Sequence, residues 1–205
     1  LDDITVAGTN EQVLEAAAQA KVPVMIGATS ADLGFVPGTS KDALFAGFGA
    51  SADSLRAAYD PGGQRDLATL SLAIGGDRMM VEPARNAARQ MRRAGQPVYH
   101  YRFSYVADSA RKDAPAGAAH ASDIPFFFRT IAVKYPKLTP TDRAISTTIS
   151  RYVANFVLTL DPNGSALPSW PLFDGASVMD FGADGTARSM ADPRSHKLDL
   201  VNGGK

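Results

Sequence analysis

The chain has no cysteine. That lack removes disulfides, Cys-ligated zinc and a thiol nucleophile together, so any catalysis must use other groups. It leaves the compartment open, with an exported protein marginally favoured over a cytoplasmic one. An excess of either charge is also missing, because 21 Lys and Arg balance 21 Asp and Glu. No Lys/Arg cluster is long enough to follow a phosphate backbone or an anionic membrane, so nucleic acid is not an expected partner. The densest basic stretch, RNAARQMRRAG at 85–95, spreads its arginines around a helix with alanines between them. That pattern predicts a solvated face rather than a binding patch. No apolar run approaches the roughly 18 residues that span a bilayer, and no basic-then-apolar leader opens the chain. The first residue is Leu1 rather than Met, and the expectation is a processed, trimmed or cut start.

What is present is apolar material, 45% of 205 residues, enough for one large domain with a substantial core. TNEQ at 9–12 has the form of a capping box, and the Ala-rich VLEAAAQA that follows predicts a short helix. KVPVMIGATS predicts a buried strand over 22–26, with Gly27 opening a loop. PVYHYRFSYV at 97–106 predicts a second strand, in which Tyr99, Tyr101, Phe103 and Tyr105 alternate onto one face. Between them, VEPARNAARQMRRAGQP predicts a helix with Pro83 near its start, Gly95 at its C′ position and Pro97 just beyond. Strand, helices, strand is the order of a parallel α/β arrangement, whose ligands sit beyond the carboxyl ends of the strands.

The second half reads differently. LTPTDRAISTTISRYVANFVLTL opens with Thr139, Pro140 and Asp142 in capping positions. It then repeats Ile145, Ile149, Tyr152, Val153, Phe156, Val157 and Leu160 at helical spacing, which predicts a core-facing helix. LDPNGSALPSWPLFD predicts a proline-rich surface loop, and SVMDFGADGTARSMAD two short strands around a Gly-Ala-Asp-Gly turn. There is no internal repeat and no low-complexity linker, so residues 1–205 form one unit.

Chemistry enters with GAAHASDIPFFF at 117–128. A lone histidine ahead of a phenylalanine run is more often a satisfied core or loop residue than a catalyst, and the run itself reads as core or pocket wall. A histidine general base, however, needs a carboxylate on one ring nitrogen and a hydroxyl on the other, usually from loops at strand ends. Asp32 stands five residues past Gly27 on the loop leaving the first strand, and His120 follows the second strand in the same way. Acid then histidine is the later part of the Ser, Asp or Glu, His order found in α/β-hydrolases.

Four stretches in order strengthen this reading: VPVMIGATSADLGF, GAAHASDIPFFF, LDPNG and LPSWPLFD. Together they resemble the C-terminal portion of a type B carboxylesterase, in the esterase and cholinesterase family. The resemblance runs from about Val22 to Asp174. It implies an α/β-hydrolase fold, this chain being the C-terminal part of the sheet with its flanking helices. It also implies that Asp32 is the triad acid and His120 the base, and that Phe35 matches an aromatic near the acyl or choline pocket. Asp123 resembles an acid that ties down the histidine loop, and Asp77 a buried hydrogen-bonding acid. The first of these motifs often carries Glu in the family, so Asp32 has the shorter arm.

One departure matters. The family's nucleophile sits in a Gly-x-Ser-x-Gly turn, with a Gly-rich oxyanion segment upstream, and neither occurs in these 205 residues. Ser30 and Ser51 have glycines nearby without the motif, and GFGAS at 47–51 reads as a flexible loop. The resemblance therefore implies an ester hydrolase acting by Ser-His-Asp acyl transfer on a small-molecule ester, with no metal or organic cofactor. Its serine would lie on the N-terminal half of the same esterase, present as a second polypeptide. Two predicted buried strands alone would leave exposed edges and a large apolar face, which also calls for a partner chain. The alternative is a cholinesterase-like interaction or binding domain without catalysis.

Overall fold

In a computed structural model, which describes residues 8–203, the capping residues do what their spacing requires. Thr9 and Gln12 form the predicted box, and helix α1 (Asn10–Glu15) follows it. Strand β1 covers Val24–Thr29, two residues later than its sequence suggests. The cause is Gly27, which lies within the strand and opens no loop. A side chain there would meet the Tyr101 backbone and ring at 2.2–2.6 Å, so this glycine allows close packing of neighbouring strands. Helices α2 (Lys41–Ala46), α3 (Ala52–Tyr59) and α4 (Leu67–Gly76) come next. GFGAS is ordered, its last three residues forming a 3₁₀ turn that leads into α3. A widened π-helical turn over Asp77–Val81 joins α4 to α5 (Glu82–Arg93) just ahead of Pro83, which has no N–H to continue the regular ladder.

Strand β2 (Val98–Phe103) is followed by two single-turn helices, α6 (Ile124–Phe127) and α7 (Ile131–Lys134), and then by α8 (Pro140–Thr159). Helix α8 starts at the predicted Thr139/Asp142 box, and Asp142 also accepts from the Tyr105 hydroxyl at 2.6 Å, tying the helix to the chain leaving β2. The predicted hairpin forms as β3 (Ser177–Phe181) and β4 (Ala187–Ala191), and α9 covers Ser195–Val201. None of these helices is long and apolar enough to cross a membrane.

The hairpin joins the other strands, giving one sheet of four in the order β1-β2-β3-β4, parallel except for β4. Side chains alternate across it. Tyr99 and Phe103 pack with Ile145, Ile149 and Tyr152 of α8, while Val98 packs with Ala88 of α5 and Phe173 on the opposite face. Trp170, predicted to lie on a surface loop, is instead a buried centre of the first cluster, with the Tyr152 ring edge-on at 5.3 Å. Asn163 fixes it there by accepting from the Trp170 N–H at 2.7 Å and donating to its carbonyl at 2.9 Å.

Three further expectations change. Arg85 is buried within the basic stretch, paired with Glu82 and with Asp199 of α9, so one face of that helix is a structural ion-pair network. The apolar stripe of α8 is buried at Ile145, Ile149 and Tyr152, but Val157 and Leu160 are exposed, as is Leu158 between them. Of the three consecutive phenylalanines, Phe126 is in the core, Phe127 packs against it and Phe128 is exposed. Among the described strands β1 has a neighbour on one side only, and its residues Val24 to Gly27 are half-buried.

Candidate active site

Parallel strands point their carboxyl ends the same way, so the loops after β1 and β2 leave the sheet side by side. Hydrogen bonds then join them. The Ala31 N–H donates to the Ala118 carbonyl at 2.8 Å, and the Ala118 N–H donates to the Ser30 hydroxyl at 2.9 Å. Helix α4 presses on the same loop from behind. Side chains at Gly75 and Gly76 would overlap the backbones of Phe35 and Asp32, at 2.2 Å and 2.6 Å, so the paired glycines let the acid loop lie against the helix.

This framework brings Asp32 and His120 together across 88 residues, with Oδ1 of the acid 2.6 Å from Nδ1 of the imidazole. The carboxylate also accepts the backbone N–H groups of Thr29 at 2.9 Å and Leu33 at 2.8 Å. Burial works to raise its pKa. The Thr29 and Leu33 donors and His120 outweigh that, and the net position is below the ordinary carboxylate value. An ionised Asp32 requires the proton on Nδ1 of His120, which leaves Nε2 as the basic nitrogen. Asp32 is 4% exposed at its side chain and His120 49%, so the acid is shielded while the imidazole is open. Ala121, next in the chain, has φ +59°, a strained region for a non-glycine residue.

A second layer holds the acid loop. Arg194, at the start of α9, donates to the Ser30 carbonyl at 2.8 Å and pairs with Asp77 in the π turn. Asp77 is fully buried and also accepts from the Tyr59 hydroxyl at 2.5 Å. Asp123 is buried and accepts from the Tyr101 hydroxyl at 3.1 Å, and its carbonyl receives the Phe126 and Phe127 N–H groups that begin α6. Sequence reasoning singled out both acids. It missed Ser30 and Arg194 as loop anchors, and no local pattern could have found a contact 164 residues apart.

Asp32 and His120 line a cavity of about 520 Å³ with Ser30, Tyr59, Arg194 and Lys197. A larger one of about 1070 Å³, between α1, α5 and the end of α9, holds neither residue of the pair. Phe35 lies three residues beyond Asp32 but is 63% exposed and does not line the smaller cavity. Among the described residues no hydroxyl lies within hydrogen-bonding distance of His120, and the Ser30 hydroxyl is occupied by the loop clamp. His100 is the contrasting histidine. It is buried, faces the Ile26 carbonyl through Nδ1 at 3.1 Å and packs on Phe173.

Comparison with known proteins places the chain in a family. Residues 50–199, which include His120 but not Asp32, match the model of the carboxylesterase family. The chain is 33% identical over 116 residues to mouse carboxylesterase 5A, covering 53% of this chain and 20% of that protein. It is 36% identical over 128 residues to human cocaine esterase, covering 60% of this chain and 22% of that protein. Pig liver carboxylesterase is 33% identical over 119 residues, covering 56% and 20%. The chain thus spans about a fifth of the length of these relatives. With a mixed, helix-flanked sheet and a family model matched over well more than half its residues, the chain belongs to the carboxylesterase family and has the α/β-hydrolase fold.

Proposed function

We propose that this chain supplies the acid and the general base of a serine carboxylic-ester hydrolase. The observation that carries the reading is the Asp32–His120 contact of 2.6 Å between a shielded carboxylate and an open imidazole. In the first step, a serine hydroxyl attacks the ester carbonyl while Nε2 of His120 takes its proton, and Asp32 stabilises the imidazolium. The tetrahedral intermediate collapses, and His120 returns that proton to the departing alcohol. Water then attacks the acyl-serine, losing its proton to His120, and the acid leaves as serine is restored. The pair works without a metal or organic cofactor.

The serine and its oxyanion donors belong, in this reading, to the N-terminal half of the same esterase, docked as a second polypeptide. Support comes from the open edge of β1 and from the exposed Val22, Val157, Leu158 and Leu160, surface of the kind a partner chain covers. Phe35, exposed beside the acid loop, becomes a wall of the substrate pocket once that partner is in place. A non-catalytic interaction domain has no need of an acid and an imidazole aligned at hydrogen-bonding distance.

The test is intact-mass analysis of the native particle after treatment with a fluorophosphonate, which labels activated serines. The expected result is a co-purifying polypeptide that carries the label, with labelling lost in His120→Ala. A 205-residue chain found alone and unlabelled would sink the proposal.

A further inference from the structure

We propose that the cavity beside His120 is a carboxylate-binding subsite whose cationic groups are Lys197 and Arg65. Resting on the esterase reading, the ester it accepts carries an acid group of its own, as the half-esters of dicarboxylic acids do.

Positive charge in this confined place is not balanced. One wall of the cavity holds Asp32 and His120, and Arg65, Arg194 and Lys197 line it as well. Three of these five charged or titratable groups are already committed: Asp32 and His120 to each other, and Arg194 elsewhere. Asp32 faces His120 and two backbone donors, and Arg194 is used by Asp77 and by the Ser30 carbonyl. Asp77, in turn, is shared with Tyr59. Among the described residues Lys197 and Arg65 form no ion pair. Asp60, which feels the Arg65 charge, is held by Lys41 at 2.7 Å.

Lys197 is half-buried, its ammonium 4.8 Å from the centre of the Tyr59 ring. Burial and then the charges of Arg65 and Arg194 push its pKa down, only partly offset by Asp77, which is itself paired with Arg194, so the cations are close enough to repel one another. A partly buried cation without an acid is costly, and an anion entering the cavity relieves both the desolvation and the repulsion. Leu33, Leu72 and Ala73 supply apolar lining for a short hydrocarbon body. An anionic head, a short apolar body and an end reaching His120 together describe an acid-bearing ester.

Succinamate, whose amide stands in for the ester, is the probe, and neutral succinamide is the control. Titration of the native particle, with the chain isotope-labelled and any co-purifying polypeptide retained, is followed by the imidazole and backbone NMR signals of the chain. Succinamate is expected to shift His120 and the loop carrying it, while succinamide leaves them in place. Lys197→Met is expected to weaken binding about tenfold or more, the loss of one charge-assisted contact. Arg65→Met, at an exposed position, gives the same direction in a variant that threatens folding less. The proposal is overturned if succinamate leaves His120 unshifted, if succinamide binds equally well, or if both variants keep affinity within about twofold. Binding is read without turnover. A failure of the esterase reading would therefore show as absent hydrolysis with binding intact.

Discussion

His100 and His120 lie on and just beyond the same strand, yet their surroundings oppose each other. His100 points away from α8 in the middle of β2, is 5% exposed, and gives Nδ1 to a backbone carbonyl. His120 stands past the carboxyl end of the strand, half open, and gives Nδ1 to a carboxylate. Burial pushes the His100 pKa down and keeps it neutral, a partner for Phe173 and Ile26. At His120 a carboxylate on one nitrogen raises the usefulness of the other. A carbonyl partner inside a sheet makes a histidine structural. A shielded carboxylate at a strand end suits one to the proton transfers of the proposed mechanism.

Mutation should separate the two histidines by their effects on rate. In the assembled enzyme of the proposed mechanism, Asp32→Asn and His120→Ala are each expected to lower kcat/KM by about 10⁴. His100→Ala should leave the rate per folded molecule unchanged, measured by titrating active sites before assay. A comparable rate loss at His100 would erase the distinction.

Stability should invert the order. His100→Ala leaves a cavity beside Phe173 and removes the imidazole donor from the Ile26 carbonyl, costing about 2–4 kcal/mol. His120→Ala removes a half-exposed ring while Asp32 keeps its two backbone donors, so the change stays within about 1 kcal/mol. Urea unfolding of the two variants distinguishes these outcomes directly.

Acidity gives a third, smaller contrast. The folded pKa of His100 lies below its ordinary 6.5, so the unfolded chain binds the extra proton first. Stability is then complete above pH 6.5 and declines as pH falls from there toward the folded value. Asp32, also depressed, contributes stability that persists down to its ordinary 3.8 and is lost only as pH falls through its lower folded value. Melting temperatures between pH 8 and pH 5 should therefore fall in the native chain and fall less in His100→Gln. An equal decline in both would show that another group controls that window.

How much of this was legible in the sequence depends on the range of each interaction. The capping boxes at Thr9 and Thr139 and the helix ending at Gly95 follow from residues a few positions apart, and the chain forms them as read. Gly27 misled because glycine permits both turns and close strand packing, and only Tyr101, 74 residues later, decides between them. The helical period of α8 correctly gave one face. It could not tell that the last turn, at Val157 and Leu160, would be left uncovered. Asp32 and His120 were found through the order of motifs, since neither spacing nor periodicity could bring them together. The Arg194–Asp77–Tyr59 cluster behind them left no local signature at all.

The backbones at the two histidines differ as well. Nothing in β2 around His100 departs from extended geometry, whereas Ala121, directly after His120, is held at φ +59°. A left-handed alanine carries roughly 1–2 kcal/mol of steric cost, which glycine does not. Glycine loses more chain entropy on folding, offsetting part of the gain by roughly 0.5–1 kcal/mol. Ala121→Gly is therefore expected to stabilise the chain by at most about 1.5 kcal/mol, a small rise in melting temperature. If the strain serves to aim His120, the same variant should weaken the downfield Nδ1 proton signal of the Asp32–His120 pair. A more stable chain with that signal unchanged would mean that the two hydrogen bonds joining Ala118 to Ser30 and Ala31 are enough to position the imidazole.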